Sequence, residues 1–518
     1  MTLGALAAPL GVLGFVRPHL DWHALAPELT LLGVGALLTC LDIAMAERGR
    51  AFTSALAGLG LLGVLVPIIT LAVAGVASEP RVMFDGAYVV DGYALILKAL
   101  FVVSGYVVVL LSMNYVAEGD YWENEYYGLV LASLLGMVVM ASARDLISIF
   151  VALELLSIPA YLLAAWRKRD LRSNEAGLKY FLMGVFASAI MLYGMSLLFG
   201  ASGSTVLADI AAAAPLDRGA DAVPSAAITV GVIFVLVGFA FKVSAFPFHT
   251  WAPDTYEGAP TPITAFLSVA SKAAGFVALG SLVFVGFWER DDVYGPALWF
   301  LAAASMTAGN LMALRQKNIV RLMAYSGIAQ AGFMLAPLAV AGVSTSVADE
   351  AVSAVLTYLV IYAAMNLGVF AVIMTVARRT GTGDVASYNG LFRVSPGMAV
   401  VMTVFLASLA GVPPAGGWYA KFAVFGALVS ADNPAGYVLA GFAAVNAVIA
   451  VGYYGKIAAR MWFEKPAPEL GDAGRIPVPF SLRSALALTV GATLAFGIVP
   501  ATVTHFTDVS LLAVAAAG

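Results

Sequence analysis

Runs of about 20 mostly apolar residues, the length needed to cross the hydrocarbon core of a bilayer, follow one another along this chain. Fourteen can be read, centred near Val34, Leu62, Val103, Leu134, Leu155, Ala189, Val235, Val269, Ala304, Leu335, Leu367, Leu409, Val448 and Ala492. No other feature constrains the fold as strongly. Charged residues are only 11% of the 518, against about 25% in a soluble domain. The longest polar stretches, Arg167–Lys179 and Lys456–Arg483, are too short and too poor in apolar residues to bury a core. The expected fold is an all-α polytopic membrane protein.

Few groups here are suited to redox or nucleotide chemistry. Cys40 is the single cysteine, which excludes a disulfide framework, a Cys-x-x-Cys pair and a cysteine-ligated iron–sulfur cluster. Of the four histidines, His19, His23 and His505 lie near the chain ends and only His249 is central, which argues against paired haem ligands. No phosphate-binding Gly-rich loop of either common type occurs. The chain is therefore expected to hold no cofactor, nucleotide or metal of its own. Thr2–Val16 is apolar but lacks the basic start of a secretory signal; it is read as a short extension on the membrane surface.

Basic residues set the orientation. With 14 spans, Arg48, Arg50, Arg167, Lys168, Arg169, Arg172, Arg315, Lys317, Arg321, Arg378, Arg379, Arg393, Lys456, Arg460 and Lys465 fall on one side. Asp85, Asp209, Asp221, Glu289, Asp291, Asp292 and Glu350 fall on the other, with few bases. The basic side is then cytoplasmic and both termini lie outside. The loop holding Glu118, Asp120, Glu123 and Glu125 is inside without bases, but acidic residues weigh little in that rule.

Two spans are interrupted. The twelfth contains Gly411-Val412-Pro413-Pro414-Ala415-Gly416-Gly417, and the seventh runs into Pro247 and a polar stretch from His249 to Gly258. Breaks at membrane depth are tolerated where they line a cavity or are buried in protein. The chain also matches itself. Leu178-Lys-Tyr-Phe-Leu resembles Leu356-Thr-Tyr-Leu-Val, and Gly238-Phe-Ala-Phe-Lys242 resembles Gly417-Trp-Tyr-Ala-Lys421, at offsets of 178 and 179. The spacing predicts two five-helix units. Because five is odd, the second begins on the opposite face, which makes it an inverted repeat of the kind transporters use for paired half-pathways. The boundaries follow: 1–125 for the extension and spans 1–3, 126–290 for spans 4–8, 291–465 for spans 9–13, and 466–518 for span 14.

Glu154, Lys242, Lys272 and Lys421 lie inside these apolar runs. A charge at the centre of a membrane helix costs about 2.5–3.5 kcal/mol on insertion scales, and such residues usually mark ion or proton pathways. Lys242 is the natural partner for Glu154, and a lysine whose pairing changes can bind and release a proton, which arginine does not readily do. Lys272 and Lys421 would extend the relay. Lys98 and Lys179 fit the bland reading instead, as side chains that reach the interface, with Glu175 and Lys179 a local i,i+4 pair. His249 suits either a proton shuttle or a cap for the interrupted helix. Asp254 and Glu257 are read as loop ties, and Tyr325, Ser326 and Gln330 as water-holding groups in the second half.

Four segments carry a resemblance. They are Asp145-Leu-Ile-Ser-Ile-Phe-Val-Ala-Leu-Glu-Leu-Leu-Ser, Asn174-Glu-Ala-Gly-Leu-Lys-Tyr-Phe-Leu-Met-Gly, the stretch from Phe241 to Pro262, and Leu409-Ala-Gly-Val-Pro-Pro. Together they closely resemble the subunit N (subunit 2) family of respiratory complex I, the antiporter-like NADH–quinone oxidoreductase subunits, over nearly all of the chain beyond Ala26. The resemblance implies 14 helices with two inverted five-helix repeats and broken helices 7 and 12. It also implies that Glu154 and Lys242 are the coupling pair, Lys272 the central lysine and Lys421 that of broken helix 12. Gln330 departs from a Tyr-Ser-x-Ile-x-His pattern of related antiporter-like sequences. Glutamine also occurs there in the cyanobacterial and chloroplast branch, which Arg169-Asp-Leu-Arg-Ser-Asn-Glu-Ala resembles, so the electron donor stays open between NADH and reduced ferredoxin.

The expected function is proton translocation in the membrane arm of a quinone-reducing complex, coupled to redox chemistry elsewhere. Flavin, iron–sulfur clusters and quinone are expected in partner subunits. Neighbouring antiporter-like and small membrane subunits and the lipid bilayer are the expected contacts, without nucleic acid. The location is the inner (plasma) membrane or the thylakoid membrane. A subunit of a multisubunit cation/proton antiporter is the alternative, and a purely structural scaffold a third reading. A sodium site would want convergent oxygens rather than three lysines.

Overall fold

The computed structural model describes residues 20–45, 50–119, 123–214, 225–471 and 476–511. The surface extension expected at Thr2–Val16, and with it His19, Arg48, Asp120 and Asp221, lies outside the described residues. The first helices are α1 (Ala26–Met45), α2 (Arg50–Val73), α3 (Gly92–Glu118), α4 (Glu123–Ser142), α5 (Leu146–Ala164), α6 (Leu171–Ser202) and the short α7 (Leu207–Ala213). Next come α8 (Ser225–Lys242), α9 (Trp251–Gly258), α10 (Thr261–Phe266), α11 (Lys272–Ser281), α12 (Asp291–Ala313), α13 (Ile319–Val340) and α14 (Thr345–Thr380). The last are α15 (Leu391–Val394), α16 (Pro396–Ala410), α17 (Gly417–Ser430), α18 (Pro434–Phe463), α19 (Phe480–Ile498) and α20 (Ala501–Thr507).

Every one of the fourteen apolar centres falls on a helical segment. Among the described residues, ten helical stretches are long and apolar enough to cross a membrane, and shorter apolar helices occupy Ala26–Leu41, Ala226–Lys242 and Pro396–Ala410. The boundary at 126 falls inside α4, which already begins at Glu123. The described residues are mostly helical, as expected, with one small β element besides. Arg81–Met83 (β1) pairs antiparallel with Tyr88–Val90 (β2). Strands of three residues are too short to leave a readable alternation, and this hairpin is held by its turn and by Arg144 N donating to Ala87 O at 2.8 Å.

Short polar side chains start the helices. Asp91, Asp145, Asn318 and Asn433 each accept from a backbone N–H in the first turn of the helix that follows, as N-cap residues do. Two connections are stitched alike. Leu146 N donates to Thr205 O and Leu207 N to Arg144 O, both at 2.9 Å. Ile319 N donates to Gly383 O at 2.8 Å and Val385 N to Lys317 O at 2.7 Å.

Close helix contacts depend on glycine. A Cβ on Gly136 in α4 would lie 2.6 Å from Leu156 N and 2.7 Å from Ala152 O of α5. On Gly309 in α12 it would lie 2.6 Å from Ala329 N and 2.8 Å from Tyr325 O of α13. Without a hydrophobic drive between helices in lipid, such small residues let backbones approach and gain dispersion contacts. Large apolar side chains point outward instead, among them Val66, Phe186, Leu182 and Val448.

Lys98 corrects a second expectation. It does not reach an interface: its side chain is 0% exposed, and Nζ lies 2.7 Å from Glu28 Oε1. Tyr88 Oη donates to the same oxygen at 2.6 Å. Beside this pair, Arg144 Nη2 donates to Asp91 Oδ2 at 3.0 Å, and both are almost fully buried. Lys179 meets its expected partner Glu175 at 2.7 Å.

Candidate functional site

The three lysines singled out in the sequence are all buried, at 2–5% exposure, whereas Glu154 is only half-buried. Lysine buried without a carboxylate must find hydroxyl or carbonyl oxygens, and each of them does. Lys242 ends α8, its Nζ donating to Ser157 Oγ at 2.8 Å and Tyr180 Oη at 3.3 Å. Lys272 begins α11, just after a π-helical turn at Leu267–Ser271, and donates to Gly327 O at 2.6 Å. Lys421, near the start of α17, donates to Ala410 O at 2.7 Å, at the end of α16. Its Nζ also lies 5.0 Å from the centre of the Phe333 ring.

Glu154 and Lys242, read as partners from the sequence, are not hydrogen-bonded to each other. Glu154 Oε1 accepts from Ser188 Oγ of α6 at 2.6 Å. Lys242 touches α5 one turn further on, at Ser157. The reason is helical geometry: residues three apart share a face but are separated by about 4.5 Å along the axis.

Polar groups connect these positions. Tyr180, in contact with Lys242, also faces Ser271, the residue before Lys272. Beyond Gly327 on α13, Gln330 Oε1 accepts from Tyr358 Oη, while its Nε2 donates to Leu409 O at 3.2 Å and Tyr454 Oη at 3.3 Å. Ser326 and Tyr454 share a further hydrogen bond. Leu409 is followed by Ala410, which holds Lys421. Hydroxyls, amides and carbonyls thus lie along a line from α5 to α17 through the interior, at intervals, with no side-chain hydrogen bond among the described residues joining Ser271 to Lys272 or Gly327 to Gln330.

His249 is not on this line. It is buried, stacked on Phe246 with ring centres 5.2 Å apart, and its Nδ1 has no hydrogen-bond partner. Asp254 and Glu257 do tie elements together. Asp254 binds Lys179 and Arg321, each at 2.7 Å, and Glu257 binds Arg321 at 2.9 Å. Tyr325 is half-buried, and Ser326 and Gln330 are buried. A cavity of about 540 Å³ opens near the ends of these helices, bounded by Glu118, Arg167, Asp170, Arg172, Glu257 and Arg378, with Tyr256 among its walls.

Ser157, Tyr180, Ser188, Gly327, Tyr358 and Tyr454 were not singled out in the sequence. A signal existed for two of them: Tyr180 and Tyr358 occupy the same place in the two matching pentapeptides. Hydroxyls and a glycine otherwise look ordinary in apolar helices.

A bundle of apolar helices with interrupted segments and buried, singly placed lysines defines a membrane protein of the antiporter-like class. Residues 143–449 match the family described as NADH:quinone oxidoreductase/Mrp antiporter, transmembrane. A chain of respiratory complex I from Thermus thermophilus has a similar structure, with a TM-score of 0.74 and 30% identity, covering 92% of this chain and 98% of that one. A chain of the Mrp complex from Dietzia sp. shares the fold at a TM-score of 0.78 and 20% identity, covering 94% of this chain and 97% of its own length. The NADH-quinone oxidoreductase subunit N of Trichlorobacter lovleyi is 37% identical over 94% of this chain and 96% of the relative. The chain belongs to the NADH-quinone oxidoreductase subunit N family. The relatives are named as subunits of NADH-quinone oxidoreductase, and the similar solved chains belong to multisubunit complexes.

Proposed function

We propose that this chain carries protons along Glu154, Lys242, Lys272 and Lys421, using the hydroxyls between them, while quinone is reduced in other subunits. One observation carries the reading: three buried lysines, none in contact with a carboxylate, each rest on hydroxyl or carbonyl oxygens, with further polar groups at intervals between them. A proton given up by one ammonium has oxygen acceptors on the way to the next. Flavin, iron–sulfur clusters and quinone belong to the partners.

The architecture proposed is 14 spans with two inverted five-helix units. Support comes from the two stitched connections, which join matching residues about 175 apart, and from Gly136 and Gly309, which meet α5 and α13 through backbone atoms at one offset of 173. Helix 7 is then α8 with α9, and helix 12 is α16 with α17, each interrupted beside its lysine. With the basic face cytoplasmic and both termini outside, the 540 Å³ cavity is the cytoplasmic mouth. Tyr256 and Tyr362, whose buried hydroxyls have no partner, lie between it and Lys272. His249 serves as a support for the interrupted helix 7, packed on Phe246. The membrane is the plasma membrane, and NADH is the donor named for the relatives.

Glu154→Ala and Lys242→Ala test the relay. Each should lower coupled quinone reduction and proton pumping in membrane vesicles, roughly tenfold or more as for other proton-transfer groups, with the complex assembled. Normal pumping in both would remove them from the pathway.

A further inference from the structure

Gly327 sits in the middle of α13, where glycine weakens a helix relative to alanine. Two other glycines where α12 meets α13 have a packing reason: a Cβ on Gly309 would come within 2.6 Å of Ala329 N, and one on Gly332 within 2.6 Å of Met306 N. Those glycines let two helix backbones touch. At Gly327 no backbone of another helix is near. A Cβ there meets only two atoms, Lys272 Nζ at 3.1 Å and Tyr362 Oη at 3.2 Å. The carbonyl of the same residue accepts from Lys272 Nζ at 2.6 Å.

We infer that Gly327 is a positioning residue for Lys272: its carbonyl holds the ammonium, and its missing side chain leaves the clearance the ammonium needs beside the Tyr362 phenol. The repeat supports this placement. The offset of 173 that relates Gly136 to Gly309 and Leu156 to Ala329 also relates Glu154 to Gly327. One unit presents a carboxylate at this position and the other a bare carbonyl. A methyl group there would require the ammonium or the phenol to give way by a few tenths of an ångström, which disturbs the seat of the central lysine between the Gly327 carbonyl and Tyr362.

This inference rests on the relay reading, and the test separates the two. In the assembled complex in membrane vesicles, Gly327→Ala should lower proton pumping and coupled quinone reduction roughly tenfold or more, the scale of a displaced reacting group. NADH oxidation by a water-soluble acceptor should be unchanged. Lys272→Met should lose the same activities. If Lys272→Met pumps normally, the relay reading itself fails. If Lys272→Met is inactive and Gly327→Ala is fully active, the role of Gly327 is overturned while the relay stands. A double-mutant cycle distinguishes positioning from packing by the thermal midpoint of the purified complex. Gly327→Ala should lower that midpoint more when Lys272 is present than in the Lys272→Met background, where only the Tyr362 contact remains. Equal loss in both backgrounds, or failure of the double variant to assemble, would mean the glycine serves helix packing and would overturn the proposal.

Discussion

Two buried lysines differ in what surrounds them. Lys272 is 2% exposed and has only a carbonyl oxygen as acceptor. Lys98 is fully buried and has the Glu28 carboxylate at 2.7 Å, with Tyr88 bonded to the same oxygen. The first can change charge without leaving an opposite charge stranded. The second ties α3 to α1 through its ion pair. Lys98→Met would strand Glu28 in a nearly buried site. We expect a loss of about 3–5 kcal/mol, the cost of removing one partner of a buried pair. It should appear as a lowered thermal midpoint of the detergent-solubilised complex. Replacing both, Lys98→Met with Glu28→Leu, should recover most of it, since an apolar pair needs no compensation. A silent single variant would show that the pair contributes nothing.

Among the helices, the decisive contacts are those where no side chain intervenes. α4 lies against α5 through Gly136, and α12 against α13 through Gly309. These contacts set the position of α5 with Glu154 and Ser157, and of α13 with Gly327 and Gln330. Gly136→Val would force the two helices apart. It should cost about 1–3 kcal/mol, as overpacking of a tight interior does, and reduce the amount of assembled complex in the membrane. Gly200→Val, at a site with nothing within 4 Å and an exposed surface, is the matched control and should assemble normally. The interrupted elements act in the opposite sense. Where α16 stops at Ala410, its carbonyl is freed from the helix ladder and becomes the acceptor for Lys421. A helix end inside the bundle supplies the oxygen that an intact helix would withhold.

For the whole molecule, the sidedness is the property that gives proton movement a direction. The connection stitched at Arg144–Leu146 and Thr205–Leu207 should face outward, and that at Lys317–Ile319 and Gly383–Val385 should face the cytoplasm. Cys40 is exposed, so a labelling experiment starts from Cys40→Ser. In that background, Ala208→Cys should react with a membrane-impermeant thiol reagent only from outside, and Ala386→Cys only from the cytoplasmic side. Both positions are exposed. Reaction of both from the same side would reject the inverted arrangement, and with it the assignment of the cavity near Tyr256 as the cytoplasmic mouth.

Much was readable from residue order alone. The membrane class, the positions of the helices and the presence of four charges within the apolar runs follow from hydropathy, because lipid leaves a spanning chain few choices. Lys242 and Lys421 occupy the same place in the internal sequence match. What only the tertiary structure decided is the partner of each charge. Periodicity gives the face of a helix but not the atoms across from it, so the contact of Lys242 with Ser157 rather than Glu154, the burial of Lys98 against Glu28, and the seat of Lys272 on a glycine carbonyl were set by how the helices pack. The hairpin at Arg81–Val90 was hidden for a related reason: its strands are too short for their alternation to show, and they exist because neighbouring loops satisfy their backbone.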